Sequence, residues 1–332
     1  MFVYIQNRKL LRYLFFFCCT FLTTAQHTTM KRPTSLQEGD TLAILAPAGI
    51  IKNQEAIHQA KALAESWGLH VIMGKHVFAK NHHFAGTDTQ RLEDFQAALD
   101  NPTVKAIWCA RGGYGTARII DDLNFEVFQK HPKWIIGYSD VTVLHNKVNR
   151  LGIETLHAMM PSNMEFAAES RKESVATLQK ALFGKGLVYS IPSSNYNRQG
   201  NATGLLVGGN LTLVANQLGS NSALETEGKI LFLEEIGEYK YHIDRMLRAL
   251  QRNGYFDNCN GLIIGGMSHI KKNTTVWGQS IEALILEIVK DYDFPVLFDF
   301  PAGHDPENRA LFMGRQVELI VSETNSEVKF VN

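Results

Sequence analysis

From residue 41 onward, the apolar positions of this chain alternate between two periods. Thr41-Leu42-Ala43-Ile44-Leu45-Ala46 is a short continuous apolar run that stops at Pro47-Ala48-Gly49, the pattern of a strand buried on both faces. The next segment, residues 53–67, places Ala56, Ala60, Leu63 and Ala64 on one face at helical spacing and ends at Gly68, which predicts a helix with a glycine stop. The alternation repeats. His70–Met73 reads as a strand, and residues 87–100 read as a helix with Leu92, Phe95 and Leu99 apolar and Asn101-Pro102 ending it. Residues 104–110 and 134–138 read as two more strands, with helical stretches at 116–123 and 127–131 between them. Strands separated by helices at this spacing predict βαβ units, hence a doubly wound, largely parallel α/β sheet over residues 38–165.

The character then changes. Ser190-Ile191-Pro192-Ser193-Ser194-Asn195-Tyr196-Asn197-Arg198-Gln199-Gly200-Asn201 is polar and turn-rich, so residues 166–203 read as a connecting segment. Beyond it, Gly208-Gly209-Asn210 opens a helix through Leu218, followed by a strand at 229–233, a helix through 245–252, a strand at 261–264 and a long helix at 276–292. Short strands close the chain near 296–298, 317–321 and 328–331. Residues 204–332 are therefore expected to form a second α/β domain with mixed or antiparallel strands. No internal repeat is present.

The first 25 residues follow neither period. Arg8, Lys9 and Arg12 precede an apolar run from Tyr13 to Leu22, and Thr23-Thr24-Ala25 supplies small residues before Gln26. Such a run is too short for a comfortable membrane span and reads as a signal peptide, residues 1–25, of an exported, periplasmic protein. A start at Met30 would instead leave the protein cytoplasmic. After cleavage, only Cys109 and Cys259 of the four cysteines remain; they make no disulfide framework, and no C-x-x-C pair exists. Cys109 lies in an apolar run and reads as a buried small hydrophobe. Lys+Arg and Asp+Glu both total 33. With no basic excess or stripe, nucleic acid is not an expected partner.

In open α/β sheets, reacting groups sit beyond the carboxyl ends of strands. The strand at 104–110 runs into Arg111-Gly112-Gly113-Tyr114-Gly115, and the strand at 134–138 into Ser139-Asp140-Val141-Thr142. Gly137-Tyr138-Ser139-Asp140 places a serine on a sharp strand-to-helix turn, as in a nucleophile elbow, although Val141 stands where G-x-S-x-G has its second glycine. By itself this serine could equally be a helix cap. The glycine loop does not fit the dinucleotide fingerprint; it is either a tight turn or a backbone approach that leaves an N–H free for an oxyanion. Glu234-Glu235, with Glu238 nearby, follows the apolar run Ile230–Leu233, and His304 follows Gly303 after a further strand. Ser139, an acid at 234 and His304 could supply nucleophile, orienter and base, though twelve histidines make chance triads easy. H-E-x-x-H is absent and no metal site is expected. His82, His83, His131 and His145 read as surface or packing residues, while His157, after a strand, is a candidate for lining the cleft.

Several of these motifs together resemble the LD-carboxypeptidases (murein tetrapeptide carboxypeptidases) and the related microcin C self-immunity peptidases. They are Ala46-Pro47-Ala48-Gly49, Phe84-Ala85-Gly86-Thr87-Asp88 leading into Arg91-Leu92-Glu93-Asp94, Ala110 to Gly115, Gly137 to Asp140, Gly208-Gly209-Asn210-Leu211, Leu233-Glu234-Glu235 with Ile243-Asp244-Arg245-Met246-Leu247, and Gly303-His304. The resemblance runs from about residue 40 to the C-terminus. It implies an N-terminal flavodoxin-like layer carrying Ser139 as nucleophile, and a C-terminal domain carrying Glu234 as orienter and His304 as general base, with Glu235 the lesser candidate for orienter. It implies an oxyanion hole from the backbone N–H groups of Gly113 and Asp140. Gly112 and Tyr114 are expected to contact substrate, and Arg111 is a candidate for a substrate carboxylate on grounds of charge. The implied activity is cofactor-free, serine-dependent release of a C-terminal D-amino acid from a muropeptide. The alternatives are cleavage of peptidyl-nucleotides and non-catalytic muropeptide binding. A homodimer is a further expectation, and no membrane contact is expected beyond the export signal.

Overall fold

The computed structural model describes residues 30–331. The expected signal peptide, with Cys18 and Cys19, lies outside them. The strands are β1 (Thr41–Leu45), β2 (His70–Met73), β3 (Val104–Cys109), β4 (Trp134–Gly137), β5 (Thr155–His157), β6 (Val188–Pro192), β7 (Gly200–Asn210), β8 (Ile230–Ile236), β9 (Gly261–Ser268), β10 (Val296–Leu297), β11 (Leu311–Met313), β12 (Gln316–Val321) and β13 (Asn325–Phe330). A 6-stranded sheet has the order β11-β5-β4-β3-β1-β2, and a 7-stranded sheet the order β10-β9-β8-β7-β12-β13-β6.

In the first sheet, β2, β1, β3, β4 and β5 run parallel, and β11 joins antiparallel to β5. The crossovers are α1 (Gln54–Ser66), α2 (Asp88–Asp100), α3 (Glu126–Lys130) and α4 (Thr142–Arg150). The first two begin at side-chain caps. Asn53 accepts from the Ala56 N–H at the start of α1, and Thr87 and Gln90 form a capping box at the start of α2. The strands are buried on both faces: β4 has no exposed position, and β3 only a half-buried Lys105, as a parallel sheet covered by helices requires.

The second sheet is mixed. β7, β8, β9 and β10 run parallel, whereas β12, β13 and β6 continue it antiparallel from the other edge of β7. One continuous core joins Trp108, Ile136 and Leu156 of the first sheet to Leu206, Phe232, Ile263 and Leu319 of the second.

Several expectations need correction. Residues 166–203 are not a plain connector, because α5 (Lys172–Leu182) packs Leu178, Ala181 and Leu182 into the shared core and β6 edges the second sheet. Gly208-Gly209 ends the long strand β7; the helix after it, α6 (Leu211–Asn216), is capped by Asn210. The glycines are there because β7 is pressed by β8 and by α4: a Cβ on Gly208 would lie 2.0 Å from the carbonyl oxygen of Phe232 on β8, and one on Gly209 2.5 Å from Oγ1 of Thr142 on α4. Residues 116–122 form two 3₁₀ turns instead of one helix. The remaining helices are α7 (Lys240–Arg252) and α8 (Ile281–Ile288), the latter shorter than expected because Ser280 caps it. β11 carries no distinct sequence signal, since it is a three-residue strand paired only through its edge with β5. No helix among the described residues is long and apolar enough to cross a membrane.

Candidate active site

The carboxyl ends of β3 and β4 meet the carboxyl ends of β8 and β10 where the two sheets adjoin. Ser139 begins a single 3₁₀ turn between β4 and α4, at φ +62°. A non-glycine residue in the left-handed region costs on the order of 1 kcal/mol or more and persists where its surroundings over-determine it. Here the neighbour is Gly112, where a Cβ would sit 2.9 Å from Ser139 Cβ and 3.0 Å from its Oγ. The glycine loop and the elbow are in contact, and only the missing side chain permits it.

Glu234 lies on β8 at a break in the ladder with β9: Leu233 pairs with Ile264, but Glu235 pairs with Met267. Such bulges re-aim side chains and are common beside active sites. The residues left over, Gly265 and Gly266, let the segment 302–304 cross closely; a Cβ on Gly265 would be 2.3 Å from the Ala302 carbonyl oxygen, and the Gly266 N–H donates to that oxygen at 2.9 Å. Gly303 in turn passes the acid, with its missing Cβ 3.0 Å from Glu234 Oε2. His304 therefore arrives with Nδ1 2.7 Å from Glu234 Oε2 and Nε2 2.9 Å from Ser139 Oγ. The Glu234 side chain has no exposure and that of His304 only 12%, so the row is shielded but open at the serine end.

The electrostatics follow from that burial. Desolvation alone would lower the His304 pKa, but the Glu234 carboxylate and its hydrogen bond, with the charges of Glu235 and Asp305, more than offset it and hold the imidazole above the usual 6.5. The Tyr138 ring packs edge-on to His304, with centroids 4.9 Å apart, and the Tyr138 hydroxyl accepts from Asn163 Nδ2. Burial pushes that hydroxyl up to about 12, so it stays protonated. Asp140 is fully buried and its Oδ2 accepts the Thr116 N–H at 2.8 Å, which ties the elbow to the far end of the glycine loop.

The other candidates separate. Strand alternation turns Glu235 to the face opposite Glu234. There it accepts from the Thr212 N–H and hydroxyl at 2.8 and 2.7 Å and from Asn210 Nδ2 at 3.2 Å, so it anchors the start of α6 and is no orienter of His304. Glu238 pairs with His242. Arg111 is half-buried and donates from Nη1 to the Ile50 carbonyl at 2.5 Å. Tyr114 is 48% exposed beside the Phe84 and His83 rings.

His157 does not line an open cleft. It is wholly buried between Tyr138 and Phe232, and burial drives its pKa well below the ordinary value, so the ring is neutral. His145 is also buried, between Thr155 Oγ1 and the Gly137 carbonyl, with its pKa pushed down to about 4. His82, His83 and His131 are exposed. Burial pushes the Cys109 thiol up, which leaves it unreactive. Among the described residues, no group of three His, Cys, Asp or Glu could hold a metal ion. Sequence reasoning missed Asn163 and the Asp140 carboxylate, whose partners lie 25 and 24 residues away and carry no local signal.

The LD-carboxypeptidase N-terminal domain matches residues 42–158, and the LD-carboxypeptidase C-terminal domain matches residues 203–319. The chain belongs to the LD-carboxypeptidase family. It is 30% identical to a probable murein peptide carboxypeptidase of Bacillus subtilis over 90% of this chain and 94% of that one. It is 29% identical to a murein tetrapeptide carboxypeptidase of Pseudomonas aeruginosa over 87% of this chain and 97% of that one. The crystal structure of muramoyltetrapeptide carboxypeptidase from Oxalobacter formigenes superposes with a TM-score of 0.79 at 26% identity, covering 88% of this chain and 99% of that one. The microcin C7 self-immunity protein MccF shares the fold, with a TM-score of 0.80 at 19% identity over 91% of this chain and 98% of that one. The two-domain α/β architecture of this chain is thus that of its family.

Proposed function

We propose that this chain is a serine LD-carboxypeptidase that releases the C-terminal D-amino acid, D-Ala, from murein tetrapeptides. The observation that carries the reading is the single imidazole that reaches Ser139 Oγ with one nitrogen and the buried Glu234 carboxylate with the other. Ser139 Oγ attacks the carbonyl carbon of the L–D peptide bond while its proton passes to His304 Nε2. Glu234 holds the ring through Nδ1–H and stabilises the imidazolium. The N–H groups of Gly113 and Asp140 stabilise the tetrahedral oxyanion. His304 then gives its proton to the departing amine, the D-amino acid leaves, and a water activated by the same imidazole hydrolyses the acyl-enzyme. Arg111, beside the serine loop, is the cation for the substrate carboxylate, with Gly112 and Tyr114 on the approach. Residues 1–25 would send the enzyme to the periplasm, where it would act in peptidoglycan recycling or remodelling.

The test is incubation of residues 26–332 with L-Ala-D-Glu-meso-diaminopimelate-D-Ala and detection of released D-Ala by mass spectrometry. Release that disappears in Ser139→Ala and persists in EDTA is the expected result. Release that survives Ser139→Ala overturns the nucleophile. A folded protein that releases nothing overturns the substrate and makes a peptidyl-nucleotide the next compound to try.

A further inference from the structure

The motif running from Phe84 to Arg91 takes no part in the chemistry above, yet it contains one of the largest fully buried side chains of the molecule. Arg91 lies on α2 with no exposure of its side chain. Its Nη1 donates to the Pro47 carbonyl at 2.6 Å and to the Gly115 carbonyl at 2.7 Å, and its Nη2 pairs with Asp88. Pro47 follows β1 and Gly115 follows β3, so one guanidinium nitrogen bridges the loops beyond two neighbouring strands. The Phe84 ring lies 5.1 Å from the Arg91 guanidinium and 5.2 Å from that of Arg118, which also binds Asp88.

We propose that Arg91 is a positioning residue that aims the oxyanion-binding N–H of Gly113 by holding the two loops on either side of it; this rests on the reading of Ser139 as nucleophile. The chain of contacts is short. Arg91 fixes Pro47; two residues on, the Gly49 N–H donates to the Gly112 carbonyl at 2.9 Å. In a planar trans peptide the Gly112 C=O and the Gly113 N–H point in opposite directions. Pulling that carbonyl toward Gly49 therefore turns the Gly113 N–H away from the β1 loop. The far end of the loop is held twice, at the Gly115 carbonyl by Arg91 and at the Thr116 N–H by Asp140, the residue after the nucleophile. Gly115 has no alternative, since a Cβ there would fall 2.7 Å from Arg91 Nη1.

The choice of arginine fits this role better than a packing role. A buried cation is costly, and an apolar residue of similar volume would fill the space as well or better. Two carbonyl oxygens converging on one point repel unless a donor lies between them. A planar fork can serve both and still reach Asp88, whereas a lysine ammonium cannot match that geometry.

The experiment uses Arg91→Lys and Asp88→Asn in the full chain, with two readouts. The first is kcat per serine titrated by a fluorophosphonate, alongside KM; the second is hydrogen exchange of the segment 111–117 relative to β3. A packing role would lower the melting temperature and the titratable fraction but not the turnover of each titrated site. The expected result for Arg91→Lys is a fall of about 10- to 100-fold in kcat per site with KM within about 2-fold, and faster exchange confined to 111–117. Asp88→Asn should move both readouts the same way by less, and it decides the matter by those readouts if Arg91→Lys does not fold. Unchanged exchange at 111–117, or unchanged kcat per site, overturns the proposal. A wild-type protein that neither releases D-Ala nor reacts with the fluorophosphonate would sink the peptidase reading, while the exchange comparison alone would still decide whether Arg91 holds the loop.

Discussion

His304 Nδ1 lies 2.7 Å from Oε2 of Glu234, a carboxylate wholly withdrawn from solvent 70 residues earlier in the chain. The pair has no common element. It exists because a break in the β8–β9 ladder and the bare backbone of Gly303 bring a loop and a strand within contact distance.

Glu234→Gln keeps the shape and removes the charge. The amide can present an N–H to Nδ1 and select the wrong tautomer, leaving Nε2 protonated and unable to accept from Ser139. A loss of about 10⁴-fold in kcat with little change in KM is expected, by analogy with the corresponding change in other triads. Steady-state kinetics on D-Ala release checks it, and a loss below about 10-fold would mean that Glu234 does not govern the tautomer.

The pH dependence has a definite sign. The base must be neutral, and the His304 pKa stands above 6.5 because desolvation, which lowers it, is outweighed by the charge and hydrogen bond of Glu234 together with the charges of Glu235 and Asp305. Activity as kcat/KM should therefore rise with pH through a limb above 6.5. In Glu234→Gln, burial remains and the charge of that carboxylate is gone, so the residual activity should show that limb at lower pH. A limb that stays in place or moves upward in the variant would contradict this account of the shift.

Much of this was legible in the chain. The alternation of apolar runs and helical faces marks β1 to β4 and their crossovers because a covered parallel sheet must be apolar on both sides. Ser139, Glu234 and His304 each stand just past an apolar run. What was not legible depends on contacts between distant segments. β7 is missed because its first residues, Gly200 to Thr203, alternate half-buried and exposed positions in a turn-rich stretch, and its end carries glycines demanded by Phe232 and Thr142 that read as the opening of a helix. The different fates of Glu234 and Glu235 turn on strand parity and a bulge, neither of which has a composition. His157 looked like a cleft residue because it follows a strand; Phe232, from the other sheet, covers it.

Gly112→Ala tests the contact between the glycine loop and the elbow. The new methyl would lie 2.9 Å from Ser139 Cβ and 3.4 Å from the Asp140 backbone nitrogen, so either the loop or the serine must move by several tenths of an ångström. A loss on the order of 100-fold in kcat is expected with the fold retained, since small misplacements at a reacting centre carry that cost. Circular dichroism and kinetics together check it; full activity would mean the loop yields freely and does not set the serine's position.

Glu154→Ala should act on stability and leave the chemistry alone. Arg315, in the turn between β11 and β12, donates from Nε and Nη2 to Glu154 Oε2 at 3.0 and 2.5 Å, and both side chains are 5% exposed. The guanidinium also packs 3.4 Å from the Phe312 ring centroid. Arg315 stands where the chain leaves the first sheet for the second, and its carbonyl accepts the Leu206 N–H. Removing the carboxylate strands a buried cation at this junction, a loss of about 3–5 kcal/mol. Glu154→Leu combined with Arg315→Met removes both charges and should recover most of that loss, because the desolvation of each ion then disappears along with their attraction. Urea unfolding of Glu154→Leu, Arg315→Met and the double variant measures the coupling, with Glu154→Ala run alongside. A single-variant loss below about 1 kcal/mol would place this pair with exposed ion pairs, and the junction would then be held by its apolar core alone.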